Sequence, residues 1–176
     1  MSSPYLTLQH PVVHSCRILT SSQASGNIGI PITKALLAAG FKVTAITRES
    51  SNSTFPENVD VRKANLTSVE SVAKALSGQD AVVIAIASAA VAEQIPIVDG
   101  ALAAGVKRVI PSEFGHNPEK IKHPVLSKLL TGKTKIIEHL RELSKANPSF
   151  TWTGVATEPF FDWVCFLSTP GTCARP

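Results

Sequence analysis

Residues 21–48 read SSQASGNIGIPITKALLAAGFKVTAITR, a loop, a helix and a strand built around a phosphate site. A short apolar run at residues 17–20 precedes a loop carrying Gly26 and Gly29, which opens a helix that Gly40 can close. Lys42 to Thr47 then alternates, is rich in β-branched residues, and ends on Arg48, where the adenosine ribose lies in a dinucleotide-binding βαβ unit. Free backbone N–H groups at the start of a helix attract a pyrophosphate, and glycines let the backbone approach it. In a GxxGxxG frame the first position is Gln23, which puts a side chain where a tight turn normally takes glycine. The loop therefore also reads as an ordinary strand-to-helix turn, and both readings stay open here.

Outward from this unit the alternation continues. Val59 to Lys63 reads as a strand; Thr67-Ser-Val-Glu70 has capping-box spacing for a helix reaching Leu76 and stopped at Gly78. Ala81 to Ala87 is a continuous apolar run, as in a central strand covered on both faces. Ala90 to Ala104 is expected to be a helix closed by Gly105, with Pro96 as a kink or a restart. Strands are expected at Arg108 to Pro111 and Thr151 to Val155. Between them Lys133 to Ala146 carries Ile136, Ile137, Leu140 and Leu143 on one helical face. Repeated β-α units of this length specify an α/β fold: a Rossmann-type doubly wound parallel sheet, in the order 3-2-1-4-5-6.

Composition bounds the class. The chain has 176 residues, 44% of them hydrophobic, enough for one domain with a core. The longest apolar run, from Ala81 to Ala92, falls short of the ~20 residues a spanning helix requires, so no membrane association is expected. The N-terminus shows no secretory pattern, and three cysteines without CxxC spacing fit free thiols in a reducing compartment; the expected location is cytoplasmic. The net charge is +4, with nine Lys/Arg against four Glu between Lys107 and Lys145. Aromatic interleaving is absent there, which argues against nucleic acid and leaves a phosphate-bearing cofactor or plain solvated helix faces. The five histidines show no metal-ligand spacing, and neither a GxSxG elbow nor a lysine-bearing phosphate loop occurs.

The stretches ASGNIGIPITKALLAAGFKVTAITRESS, LTSVESVAKALSGQDAVV, GALAAGVKRVIPSEFG and TWTGVATEPFFDW resemble, in order and spacing, the NmrA-like and isoflavone-reductase-like family. The resemblance covers residues 15–163 and rests most on VKRVIPSEFG and the FFDW-type segment. That family is an atypical branch of the short-chain dehydrogenase/reductase fold; its members bind NADPH and either reduce small aromatic or phenylpropanoid-like substrates or act as redox-sensing regulators. The resemblance implies that Ala24, Ser25, Gly26, Asn27, Ile28 and Gly29 lie under the pyrophosphate and that Arg48 meets the 2′-phosphate of NADP(H). Chemistry agrees at Arg48, since a guanidinium suits a phosphate and an NAD site usually has an acid there; a solvated loop arginine is the alternative. Ser112 is implied to border the nicotinamide, with Phe114 packing beside it. Gln94 matches a family glutamine and reads equally as an exposed helix residue. Lys133 aligns with the catalytic lysine, able to move a proton at a substrate oxygen during hydride transfer, or is a surface lysine beside Lys128 and Lys135. The sole tyrosine, Tyr5, precedes the first strand, so a Tyr-x-x-x-Lys pair is excluded.

The same resemblance divides the chain into a divergent extension at 1–14, a cofactor-binding domain at 15–157 and a divergent apolar tail at 158–176. Relatives continue past FFDW into a smaller domain that forms most of the substrate pocket, so the expectation is a truncated copy with that domain largely missing. Phe160, Phe161, Trp163, Val164, Phe166 and Leu167 form an apolar cluster expected to drive homo-oligomer formation or partner binding. Three functions follow: a reductase of a small organic substrate, a non-catalytic NADP sensor or partner-binding protein, and an inactive copy.

Overall fold

The computed structural model describes residues 28–86, 91, 93–158 and 160. Helix α1 (Gly29–Ala38) leads into strand β1 (Val43–Thr47) and strand β2 (Val59–Lys63); helix α2 (Val69–Leu76) follows. Then come β3 (Ala81–Val83), α3 (Gln94–Ala103), β4 (Arg108–Ile110), the short helix α4 (Pro124–Leu129), α5 (Thr131–Ala146) and β5 (Thr151–Trp152). Among the described residues every strand pair is parallel: β1 with β2 in the register Val43↔Val59, β3 with β4 in Ala81↔Arg108, and β4 with β5 in Arg108↔Thr151. These give the ladders β1-β2 and β3-β4-β5. They match the 3-2 and 4-5-6 portions of the expected order; the strand expected at 17–20, which would join them, lies outside the described residues.

Local rules account for the element ends. The N–H groups of Gly40 and Phe41 reach back to the carbonyls of Leu37 and Leu36, and Gly40 takes φ +83, a left-handed residue that terminates α1. Gly105, at φ +79, ends α3 with the same pair of bonds. The cap of α2 differs by one residue from the expected box: Ser68, not Thr67, accepts from the N–H of Ser71, because Thr67 is engaged with Asn65. Helix α3 begins at Gln94, with Pro96 in its first turn, where a missing N–H costs little; residues 90 and 92 of the helix expected from residue 90 lie outside the described residues. The β3 ladder stops at Val83, and the chain stays buried through Ile86.

Side chains alternate across the sheet. Ile46, Val82 and Ile84 pack with α2, α3, α5 and Phe150 in the main core, whereas Val43 and Val83 pack with Ile32, Leu36 and Leu37 of α1 in a second cluster. Every residue of β1 is buried, as expected of a strand in a doubly wound sheet with helices over both of its faces. On the α2–α3 contact, a Cβ at Gly100 would fall 2.6 Å from Val72 Cγ1, which shows how closely the two helices approach. Among the described residues no helix is long and apolar enough to cross a membrane.

Candidate functional site at the carboxyl edge of the sheet

Ligands of open parallel sheets bind beyond the carboxyl ends of the strands, where the loops after β1 and β4 lie. After β4, Pro111 turns the chain and Ser112 becomes a junction. Its hydroxyl accepts from the Ile86 N–H at 3.2 Å and donates to the Ile86 carbonyl at 3.1 Å, while its own N–H donates to Gln94 Oε1 at 2.8 Å. The loop after β4 is thus tied both to the extension of β3 and to the first residue of α3. Gln94 is 0% exposed, which corrects its reading as an exposed helix residue. Accepting from Ser112 fixes its amide orientation, and its Nε2 donor is left with no partner among the described residues.

Glu113 follows, 3% exposed, with no hydrogen-bond partner for either carboxylate oxygen among the described residues. The wall over its Cβ and Cγ includes Gly154, just beyond β5. Its ion-pair partner among the described residues is Lys133, whose Nζ lies 3.8 Å from Oε2. Burial pushes the Glu113 carboxyl from 4.5 up to about 7, and the nearby Lys133 ammonium holds that rise back. Glu113 therefore changes charge near neutrality.

Lys133 occupies the first turn of α5 and is only 9% exposed. A surface lysine would extend into water; this one lies against Glu113 and Gly115, where a Cβ on the glycine would sit 3.6 Å from Nζ. Neighbouring Gly132 admits the Val91 side chain, since a Cβ there would fall 2.7 Å from Val91 Cγ1. Helix stability does not favour a cation at this end of the macrodipole. The arrangement can hold and move a proton between two buried groups of opposite sign. Phe114 packs with Val43 and Val83 in the second cluster.

The other edge is open. Arg48 directly follows β1 and is exposed; its carbonyl accepts from the Ser51 N–H in a turn, and no ion pair involves its guanidinium among the described residues. Ile28 and Gly29 form the start of α1, with Gly29 buried, whereas Gln23, Ala24, Ser25, Gly26 and Asn27 lie outside the described residues. The apolar tail from residue 161 onward also lies outside them. Ser112 is hydrogen-bonded to Gln94 and its neighbour Glu113 is paired with Lys133, whereas no hydrogen bond or ion pair links Arg48 to any of them among the described residues. Glu113 escaped the sequence reading although it lies within PSEFG; a glutamate three residues past a strand, at the carboxyl edge of the sheet, was the available signal. Among the described residues no cluster of ligating side chains could hold a metal.

Residues 18–170 match the NmrA-like family. The chain is 37% identical over 145 residues to the oxidoreductase poxI of Penicillium oxalicum, an alignment covering 82% of this chain and 46% of that protein. Against the oxidoreductase aprR of Aspergillus flavus, identity is 37% over 142 residues, with 79% and 47% covered. The chain thus spans about half the length of the curated relatives it matches. In structure it is similar to AtPrR2 solved with NADP+ and (+)pinoresinol, with a TM-score of 0.71, 24% identity, and 90% of this chain and 55% of that one covered.

Proposed function

The chain belongs to the NmrA-like family, and from that premise we propose that it is the cofactor-binding portion of an NADP(H)-dependent oxidoreductase acting on a small organic substrate, an aromatic or carbonyl/enone compound. The observation that carries this reading is the buried Lys133 amine at the carboxyl edge of β4, set beside Glu113 and Gly115. An amine so enclosed has no structural purpose that an exposed lysine would not serve better.

The residues present fit the cofactor. Gln94 Nε2 is a buried donor without a partner among the described residues, next to Ser112, on the side where a nicotinamide carboxamide would offer an acceptor. Arg48 is exposed at the end of β1, where a 2′-phosphate would lie, and the start of α1 at Ile28 and Gly29 supplies backbone N–H groups for a pyrophosphate. NADPH, when bound, supplies a hydride from C4 of its nicotinamide ring. Lys133 would deliver the matching proton to the substrate oxygen, and accept it in the reverse direction. Ser112 and Gln94 would orient the ring, and Arg48 would discriminate the phosphate-bearing cofactor from NAD.

Calorimetry with NADP+, NADPH and NAD on the full chain, followed by NADPH oxidation against a panel of aldehydes and enones, tests this. Binding with turnover supports the reductase. Binding without turnover on any compound moves the reading to an NADP sensor or partner-binding protein. No binding of either phosphorylated cofactor overturns both.

A further inference from the structure

Resting on the reductase reading above, we propose that Glu113 is a positioning residue, which holds the Lys133 ammonium against Gly115 at the sheet edge and so presents a single amine conformer to the substrate oxygen. A buried carboxyl normally accepts hydrogen bonds from backbone or side chains; Glu113 has none among the described residues. What it has is one cation, 3.8 Å away and nearly as buried as itself. Such a pair is poor at stabilising a fold, because desolvating both charges offsets their attraction. A pair with little structural value, at the edge where parallel sheets bind ligands, is better explained by what it does to the amine. Lysine is a point charge on a flexible four-carbon stem, and a carboxylate on one side with a glycine on the other restricts where that charge can sit.

The surroundings leave Glu113 as the group that matters. On the loop after β4, His116 is paired with Glu158, and the Glu158 N–H also donates to the Gly115 carbonyl. Just before α3, Glu93 has a buried oxygen without a partner among the described residues. On α5, Lys135 and Glu138 are exposed. Among these groups Lys133 alone forms an ion pair with the Glu113 carboxylate. Because the Glu113 carboxyl is pushed up to about 7, loss of its charge would release the ammonium near neutral pH.

Two measurements on the full chain test the proposal. The first needs no cofactor: with ¹³C-labelled glutamate, the Glu113 carboxyl signal, assigned by Glu113→Gln, is titrated in the wild type, in Lys133→Gln and in Lys133→Arg. The midpoint is expected to rise by about one unit or more in Lys133→Gln and to stay near the wild-type value in Lys133→Arg. An unmoved midpoint in Lys133→Gln overturns the proposal. The second compares turnover: Glu113→Gln is expected to lower kcat roughly 10- to 100-fold, with KM and NADP+ affinity within about twofold, and Glu113→Asp to recover part of the loss. The acid limb of the pH profile for kcat should disappear in Glu113→Gln. A shifted midpoint with unchanged kcat overturns the positioning role. A wild-type chain that binds no NADP+ defeats the reductase reading, while the glutamate titration still decides whether the pair exists.

Discussion

The carboxyl ends of β4 and β1 both carry cations, in opposite settings. Beyond β4, Lys133 and Glu113 are enclosed, tied in by Ser112 and Gln94 and walled by α5 and the segment after β5. Beyond β1, Arg48 extends into solvent without an ion pair among the described residues. A buried charge carries a desolvation cost that only chemistry or a partner offsets, whereas an exposed one costs almost nothing until a ligand meets it. On the proposed reading, proton handling would fall to the β4 edge and ligand selection to the β1 edge.

The largest effect is expected at Lys133. Replacing it with alanine should lower kcat by about 10²- to 10⁴-fold, the usual worth of a positioned proton carrier, with NADP+ affinity changed less than about twofold by calorimetry. An equal loss of affinity would break the comparison, because the β4 edge would then serve binding.

The pH dependence of stability comes next. With its folded value raised from 4.5 to about 7, Glu113 keeps a proton in the native state that the unfolded chain has already released. Native stability is therefore fully present below about 4.5, falls as pH rises through the window and levels off above about 7, a change on the order of 3 kcal/mol. Glu113→Gln should remove that slope, as read by urea unfolding at closely spaced pH values. A slope identical to the wild type would locate the titrating group elsewhere.

At the exposed edge, Arg48→Ala should leave stability within about 0.5 kcal/mol and reduce the preference for NADP+ over NAD by roughly 1.5 to 3 kcal/mol, the value of a charge-assisted hydrogen bond. Equal titrations of both cofactors, before and after mutation, would make Arg48 a plain loop arginine.

The smallest pair sharpens the comparison through hydroxyls. Ser112→Ala deprives the buried Ile86 N–H of its acceptor and should cost about 1 to 3 kcal/mol in denaturant unfolding. Thr47 lies buried at the end of β1 with an unpartnered Oγ1 among the described residues, so Thr47→Val is expected to be neutral within about 0.5 kcal/mol or stabilising. Equal losses would show that the two strand ends are tied in alike.

Much of the fold was legible because helix ends are local events. Gly40, Gly78 and Gly105 all adopt positive φ where the sequence places helix stops, and the strands at 43–47, 59–63 and 108–110 fall where β-branched runs predict them. The short helix α4 was not legible: six residues give too little periodicity to register. Lys133 was visible only as a residue in an order of motifs, since nothing in TGKTKIIEHL separates it from the exposed Lys135 two positions on.

By itself, the sequence determined the alternation of strand and helix, the parallel α/β class and the capping of α1 and α3, because each depends on residues within a few positions of one another. The tertiary structure alone decided that Gln94 is buried and that Glu113 faces Lys133. Burial and charge pairing are properties of neighbours in space: Glu113 and Lys133 stand twenty positions apart, on different elements. Their desolvation is set by α5, Gly115 and the segment after β5 closing around them, which no local pattern encodes.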